Sequence, residues 1–130
     1  MNSDDPDMSF MRVIRGFGYA FSGVYTLFRT QRSARIHGIA TLILVGLGLW
    51  LRLPLQSWCW LTVAVAMVWT AEAFNTAIEF LSDVVSPGFH PGIKKVKDIS
   101  SAAVFMSVIG ALTIGALVLA PPLLKRLAGG

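Results

Sequence analysis

Trp60-Leu61-Thr62-Val63-Ala64-Val65-Ala66-Met67-Val68-Trp69-Thr70-Ala71-Glu72-Ala73-Phe74-Asn75-Thr76-Ala77-Ile78-Glu79-Phe80-Leu81-Ser82-Asp83 is the stretch that decides the fold. It is apolar at first and long enough, as a helix, to cross a bilayer. At about 3.6 residues per turn, Glu72, Asn75 and Glu79 fall on one face, and Asp83 continues that face one turn further. An ionisable side chain inside a spanning helix costs several kcal/mol unless it is paired or faces a wet cavity. The stripe therefore reads as a working surface.

The composition agrees. The chain has 130 residues, of which 55% are hydrophobic and 14% charged, the make-up of a membrane protein rather than a soluble globule. Its length allows a single domain, 1–130. Cys59 is the single cysteine, so no intramolecular disulfide and no thiolate cluster can form. Between Trp58 and Trp60 it reads as an interfacial residue. Met1 to Asp7 is polar and acidic, with no short apolar run and cleavage site behind it, so an uncleaved chain is expected.

On the N-terminal side, Phe10, Val13, Ile14, Phe17, Phe21, Val24 and Phe28 recur at helical steps while Arg12 and Arg15 stand off that face. This predicts an amphipathic surface helix over about residues 8–29. Arg29, Arg32 and Arg35 then mark a junction, and a first span is predicted over about 36–53, with His37 read as an interfacial side chain. The second span covers about 58–83 and the third about 99–123, with Asp98 as the expected N-cap of the third. Between them, Ser86-Pro87-Gly88-Phe89-His90-Pro91-Gly92 is a loop, followed by basic Lys94, Lys95 and Lys97. The fold class is thus all-α: a surface helix and three transmembrane helices.

Lysine and arginine gather at the N-terminal side and after the second span, and only Arg52 lies in the turn after the first. The N-terminus and the second loop are therefore expected in the cytoplasm. The positive charge is explained by this placement, and no nucleic-acid partner is expected. Ala103, Ser107, Ala111 and Gly115 recur every four residues, a small-residue face that lets another helix approach closely.

On this orientation Glu72 lies roughly 16 Å deeper than Asp83, at a depth lipid headgroups reach. The basic run reaches the start of the third helix, where free N–H groups and the helix dipole favour a phosphate. Carboxylates able to hold a divalent cation beside a cationic phosphate site are what phosphoryl transfer needs. Taken singly, Asp83, Lys94, Lys95 and Asp98 are also explained by helix ends and the positive-inside rule. Glu72 and Glu79 are not, and an ion-conducting membrane oligomer is the other class that accounts for them. No Walker glycine loop and no protein-kinase signature is present.

Glu72-Ala73-Phe74-Asn75-Thr76-Ala77-Ile78-Glu79, then Asp83, His90 and Lys97-Asp98 ahead of Ala102-Ala103-Val104, resembles the signature of the small bacterial membrane diacylglycerol kinase family, which includes the undecaprenol kinases. Gly18-Tyr19-Ala20 and Arg35-Ile36-His37 extend the likeness. Val85 to Pro91 with Lys94 to Asp98 looks more like the undecaprenol kinase branch. The resemblance implies a homotrimer in the bacterial cytoplasmic membrane with active sites shared between subunits, using Mg2+ and ATP to phosphorylate a membrane lipid alcohol. Undecaprenol is the favoured acceptor and diacylglycerol the alternative. By that match Glu72 is the catalytic base and Asn75 positions groups around it. Glu79 holds the magnesium of ATP, while Lys97, Asp98, Tyr19 and the loop Gly88, Phe89, His90 bind the nucleotide. Arg12 and Ser101 match positions near the lipid substrate. Where the family usually has a glutamate as second metal ligand, this chain has Gln31, which keeps a carbonyl oxygen but loses a charge. The substitution predicts weaker metal–nucleotide binding and an unchanged reaction, the alternative being a catalytically weakened homologue.

Overall fold

A computed structural model describes residues 6–129. Its helices are α1 Pro6–Thr30, α2 Arg32–Trp50, α3 Leu55–Val85 and α4 Pro91–Ala128. The chain divides into two compact units, one ending at Arg32 and the other starting at Ser33.

In the first unit, α1 starts two residues before the expected 8–29 and ends one after it, and its internal glycines do not interrupt it. Near its end the Arg29 Nη1 donates to the Tyr25 hydroxyl at 2.7 Å, with the guanidinium 5.9 Å from that ring. The Thr26 and Thr30 hydroxyls donate to the carbonyls of Ser22 and Thr26. Gln31 leaves the helix, its N–H still bonded to the Leu27 carbonyl at 2.9 Å.

In the second unit, α2, α3 and α4 are each long and apolar enough to cross a membrane. At about 1.5 Å per residue, α3 is about 46 Å long and α4 about 57 Å, against a hydrocarbon layer of about 30 Å. Both helices are therefore longer than a perpendicular crossing requires. α3 and α4 pack along one another, and α2 meets them through a smaller set of side chains.

The turn after α2 is closed tightly. Arg52 takes a left-handed φ of 52°, the Leu53 N–H donates to the Gly48 carbonyl at 3.1 Å and the Arg52 N–H to that of Leu49 at 3.1 Å. This is the Schellman pattern, here built on an arginine where glycine is usual, and Pro54 follows to prevent the helix from resuming. Leu51, Leu53 and Leu61 form a buried cluster at this end, backed by Trp58 and Leu123. Gly48 has no side chain because Trp58 lies against it: a Cβ there would stand 2.7 Å from that ring. Arg126 crosses from α4 to donate to the Trp50 carbonyl at 2.8 Å, its guanidinium 4.4 Å from the Trp50 ring.

Two expectations change. Asp98 does not cap the last helix. The helix begins seven residues earlier, at Pro91, where the His90 Nδ1 accepts from the Gly92 N–H at 3.1 Å. Proline at the first helical position costs no hydrogen bond, which is why the Pro-Gly pair opens the helix instead of delaying it. The small-residue face also splits. Ala103 and Ser107 line a groove beside Met67, and the close approach falls at Gly110, where a Cβ would stand 3.0 Å from the Met67 Cε. Ala111 and Gly115 instead border a recess of about 550 Å3 between α2, α3 and α4, open along one side.

Candidate functional site

The polar stripe on α3 is buried in a gradient. Glu72 is 1% exposed, Asn75 and Glu79 are half-buried and Asp83 is exposed. A carboxylate so deeply enclosed needs partners, and α2 supplies them. The Ser33 hydroxyl donates to the Glu72 Oε1. The His37 Nε2 stands 3.5 Å from the other oxygen. Ser33 and His37 are four residues apart on α2, so they share a face and flank the carboxylate together.

One turn towards the loop, Asn75 joins α3 to α4. Its Oδ1 accepts from the Ser100 hydroxyl at 2.8 Å and its Nδ2 donates weakly to the Glu79 Oε1 at 3.4 Å. The amide thus has one side on α4 and the other on a neighbouring carboxylate. Thr76, buried on the same row as Glu72, has no hydrogen-bond partner for its hydroxyl.

Beyond the apolar part of the helices, the Lys97 Nζ donates to the Asp83 Oδ1 at 2.8 Å, and Lys94 donates to Asp98 at 2.6 Å. The hydrogen bond it donates to Asp83 raises the Lys97 ammonium above its ordinary value of 10.5, desolvation opposing it and the Asp83 and Glu79 charges adding to it. Gly88 and Phe89 are exposed, and the Gly88 carbonyl accepts from Ser86 at 3.1 Å. His90 is held at the start of α4 by its cap.

The structure thus draws Glu72, Asn75, Glu79, Asp83 and Lys97 into one polar end of the second unit. Asp98 is paired within its own helix, and Ser101 is exposed while its neighbour Ser100 makes the contact to Asn75. Arg12, Tyr19 and Gln31 belong to the first unit, the first two exposed on α1 and Gln31 just after it.

Ser33, His37 and Ser100 were not singled out in the sequence as partners of the stripe. The histidine spacing from Ser33 was readable; that its ring would meet a carboxylate 35 positions later in the chain was not.

The arrangement can accept a proton at a buried, oriented carboxylate and hold an anion near Lys97. The recess next to His37 is bordered by apolar side chains apart from His37, Thr41 and Trp69.

The sequence profile described as prokaryotic diacylglycerol kinase matches residues 18–119. The chain is 28% identical over 123 residues to the undecaprenol kinase of Bacillus subtilis (strain 168), covering 95% of this chain and 100% of that one. It is 34% identical over 110 residues to a diacylglycerol kinase of Synechocystis, covering 84% of this chain and 63% of that one. With the diacylglycerol kinase of Escherichia coli (strain K12) it shares 30% identity over 103 residues, 79% of this chain and 84% of that one.

Proposed function

The chain belongs to the prokaryotic diacylglycerol kinase family, a family of lipid phosphotransferases, and from that premise we propose that it transfers the γ-phosphate of Mg·ATP to a membrane lipid alcohol, with undecaprenol as the acceptor. The observation that carries the reading is Glu72, a buried carboxylate oriented by Ser33 and His37, the latter also bordering the apolar recess. A general base must be held where a hydroxyl can reach it, and a carboxylate with both oxygens oriented is held.

In this reading Glu72 takes the proton of the lipid hydroxyl as its oxygen attacks the γ-phosphorus, and ADP leaves. Asn75, fixed by Ser100, positions the groups beside it. Lys97 meets the phosphates, exchanging or sharing its bond to Asp83. Asp98, Tyr19, Gly88, Phe89 and His90 bind the nucleotide, and Arg12 and Ser101 lie towards the lipid. These last roles rest on the family resemblance.

The residues fit magnesium in the way ATP brings it. Among the described residues no three His, Cys, Asp or Glu side chains converge, and Mg2+ commonly takes only one or two protein carboxylates, with phosphates and water filling the rest. Glu79 would be that carboxylate; Gln31 stands where the family resemblance has a second ligand, and would offer a neutral oxygen in its place. The ion, when bound, neutralises phosphate oxygens.

Undecaprenol is preferred to diacylglycerol in this reading because the chain matches the whole length of the Bacillus enzyme of that name, and because the loop from Val85 to Pro91 looks more like that branch. The same reading gives a homotrimer with shared sites, α1 as an amphipathic surface helix, and one kinase domain in the bacterial cytoplasmic membrane with its N-terminus inside.

The test is phosphate transfer from labelled ATP by the purified protein in mixed micelles, with undecaprenol and diacylglycerol offered separately, with and without magnesium. Magnesium-dependent labelling of undecaprenol is expected. Labelling of diacylglycerol alone would move the acceptor to the second reading, and labelling of neither, even in Gln31→Glu, would end the kinase reading.

A further inference from the structure

Between α2, α3 and α4 lies a recess of about 550 Å3, open along one side and far larger than the gaps that close packing leaves between helices. Its walls are kept low. Ala40, Ala64, Ala111, Gly115, Ala116 and Ala120 face it from all three helices, and a Cβ added at Gly115 would meet nothing within 4 Å. Small residues here do not bring helices together; they hold space open.

The space has direction. At one end stands His37, whose ring also faces the Glu72 carboxylate. From Ser100, bonded to the neighbouring Asn75, α4 runs about 22 Å to Gly115, and the lining continues to Leu123. The polar groups at the reactive end are largely engaged. The Thr41 hydroxyl donates to the His37 carbonyl at 2.8 Å and accepts from the Trp69 N–H at 3.2 Å. Ester carbonyls entering beside the reacting hydroxyl would find few donors, whereas a plain hydrocarbon needs none.

We infer that this cavity holds the hydrocarbon chain of the acceptor, with the chain joined directly to the alcohol carbon, and that it selects a single-chain prenyl-type alcohol over an ester-bearing glyceride. The inference rests on the kinase reading and deepens it. Glu72 meets the hydroxyl, His37 marks the entrance and Gly115 lies along the chain.

The experiment fills the cavity by Gly115→Leu in the full-length protein in mixed micelles. Transfer to undecaprenol is compared with transfer to geraniol, a prenol too short to reach Gly115. The ratio of kcat/KM, undecaprenol over geraniol, is expected to fall at least about tenfold, the scale on which apolar pockets discriminate added bulk. In parallel, a long prenol carrying a terminal diazirine is photolysed on both proteins and the labelled residues are mapped. Labels are expected on cavity residues such as Leu47, Leu119 and Leu123 in the parent and are expected to be lost in the variant.

An unchanged ratio with labels on outward-facing residues overturns the inference while leaving transfer, and so the kinase reading, intact. Cavity labels lost in Gly115→Leu, in a protein that phosphorylates neither lipid, keep the chain site and remove the kinase reading. An unchanged ratio with an altered oligomeric state in Gly115→Leu assigns the space to a helix of a second copy and overturns the inference.

Discussion

The two ends of the second unit are built on opposite terms. At the turn end, Leu51, Leu53 and Leu61 close a small apolar cluster, Gly48 gives way to the Trp58 ring, and Arg126 holds the last carbonyl of α2. At the loop end the helices meet through Ser33, His37, Asn75, Ser100 and a buried glutamate. Shape holds one end and directional bonds hold the other. Van der Waals packing tolerates no added atom where it is tight, whereas a polar network tolerates no missing one. The difference teaches which end can carry chemistry: the one whose groups have preferred directions.

Substitutions can break that contrast or sharpen it. The largest effect is expected from Glu72→Gln, which keeps shape and removes the base; turnover should fall about 10²–10⁴-fold. Nucleotide binding should be nearly unchanged, as read by titration with Mg·ATP. Loss of binding with it would move Glu72 from the lipid to the nucleotide. Ser33→Ala comes next, since a hydrogen bond to a charged group contributes about 1.5–3 kcal/mol. A roughly 10–100-fold drop in kcat, with thermal stability followed separately, would show the bond acting on Glu72. A fall in stability with kcat unchanged would make it only a helix fastener.

At the packed end, Gly48→Leu should lower stability by about 1–3 kcal/mol, measured by unfolding in detergent, while the surviving protein keeps its KM for ATP. An equal effect on KM would erase the separation of the two ends. Thr76→Val, which removes a buried hydroxyl lacking a partner, should raise stability by about 1 kcal/mol. Destabilisation instead would point to an unseen partner for that hydroxyl. The smallest change is Arg52→Gly, where relief of the left-handed backbone should add about 0.5–1 kcal/mol. No gain would mean that the arginine side chain offsets its own backbone cost.

Much of the fold was written in the apolar runs. Residues 36–53 and 58–83 are long, hydrophobic and bounded by tryptophan and proline, and the helices found there differ mainly at their ends. The last helix starts ahead of the expected 99 because Lys94, Lys95 and Lys97, which read as part of the loop, are good helix formers once a cap precedes them. Passage through Pro121 and Pro122 was equally hidden. Each removes one donor, from the carbonyls of Leu117 and Val118, but the helix continues to Ala128.

Of the site, the α3 stripe was legible because helical period alone aligns Glu72, Asn75 and Glu79. Its partners were not. Ser33 and Ser100 carry no periodic signal, and the meeting of His37 with Glu72 depends on how α2 lies against α3, which no local pattern encodes.

The cap at His90 carries a consequence of its own. With Nδ1 committed to accepting the Gly92 N–H, the neutral ring is confined to one tautomer, and its hydrogen sits on Nε2. The outer edge of the imidazole is thereby a donor, matched to an oxygen and unsuited to another N–H. A helix start that exists for folding reasons has fixed in advance the polarity of whatever the loop can greet.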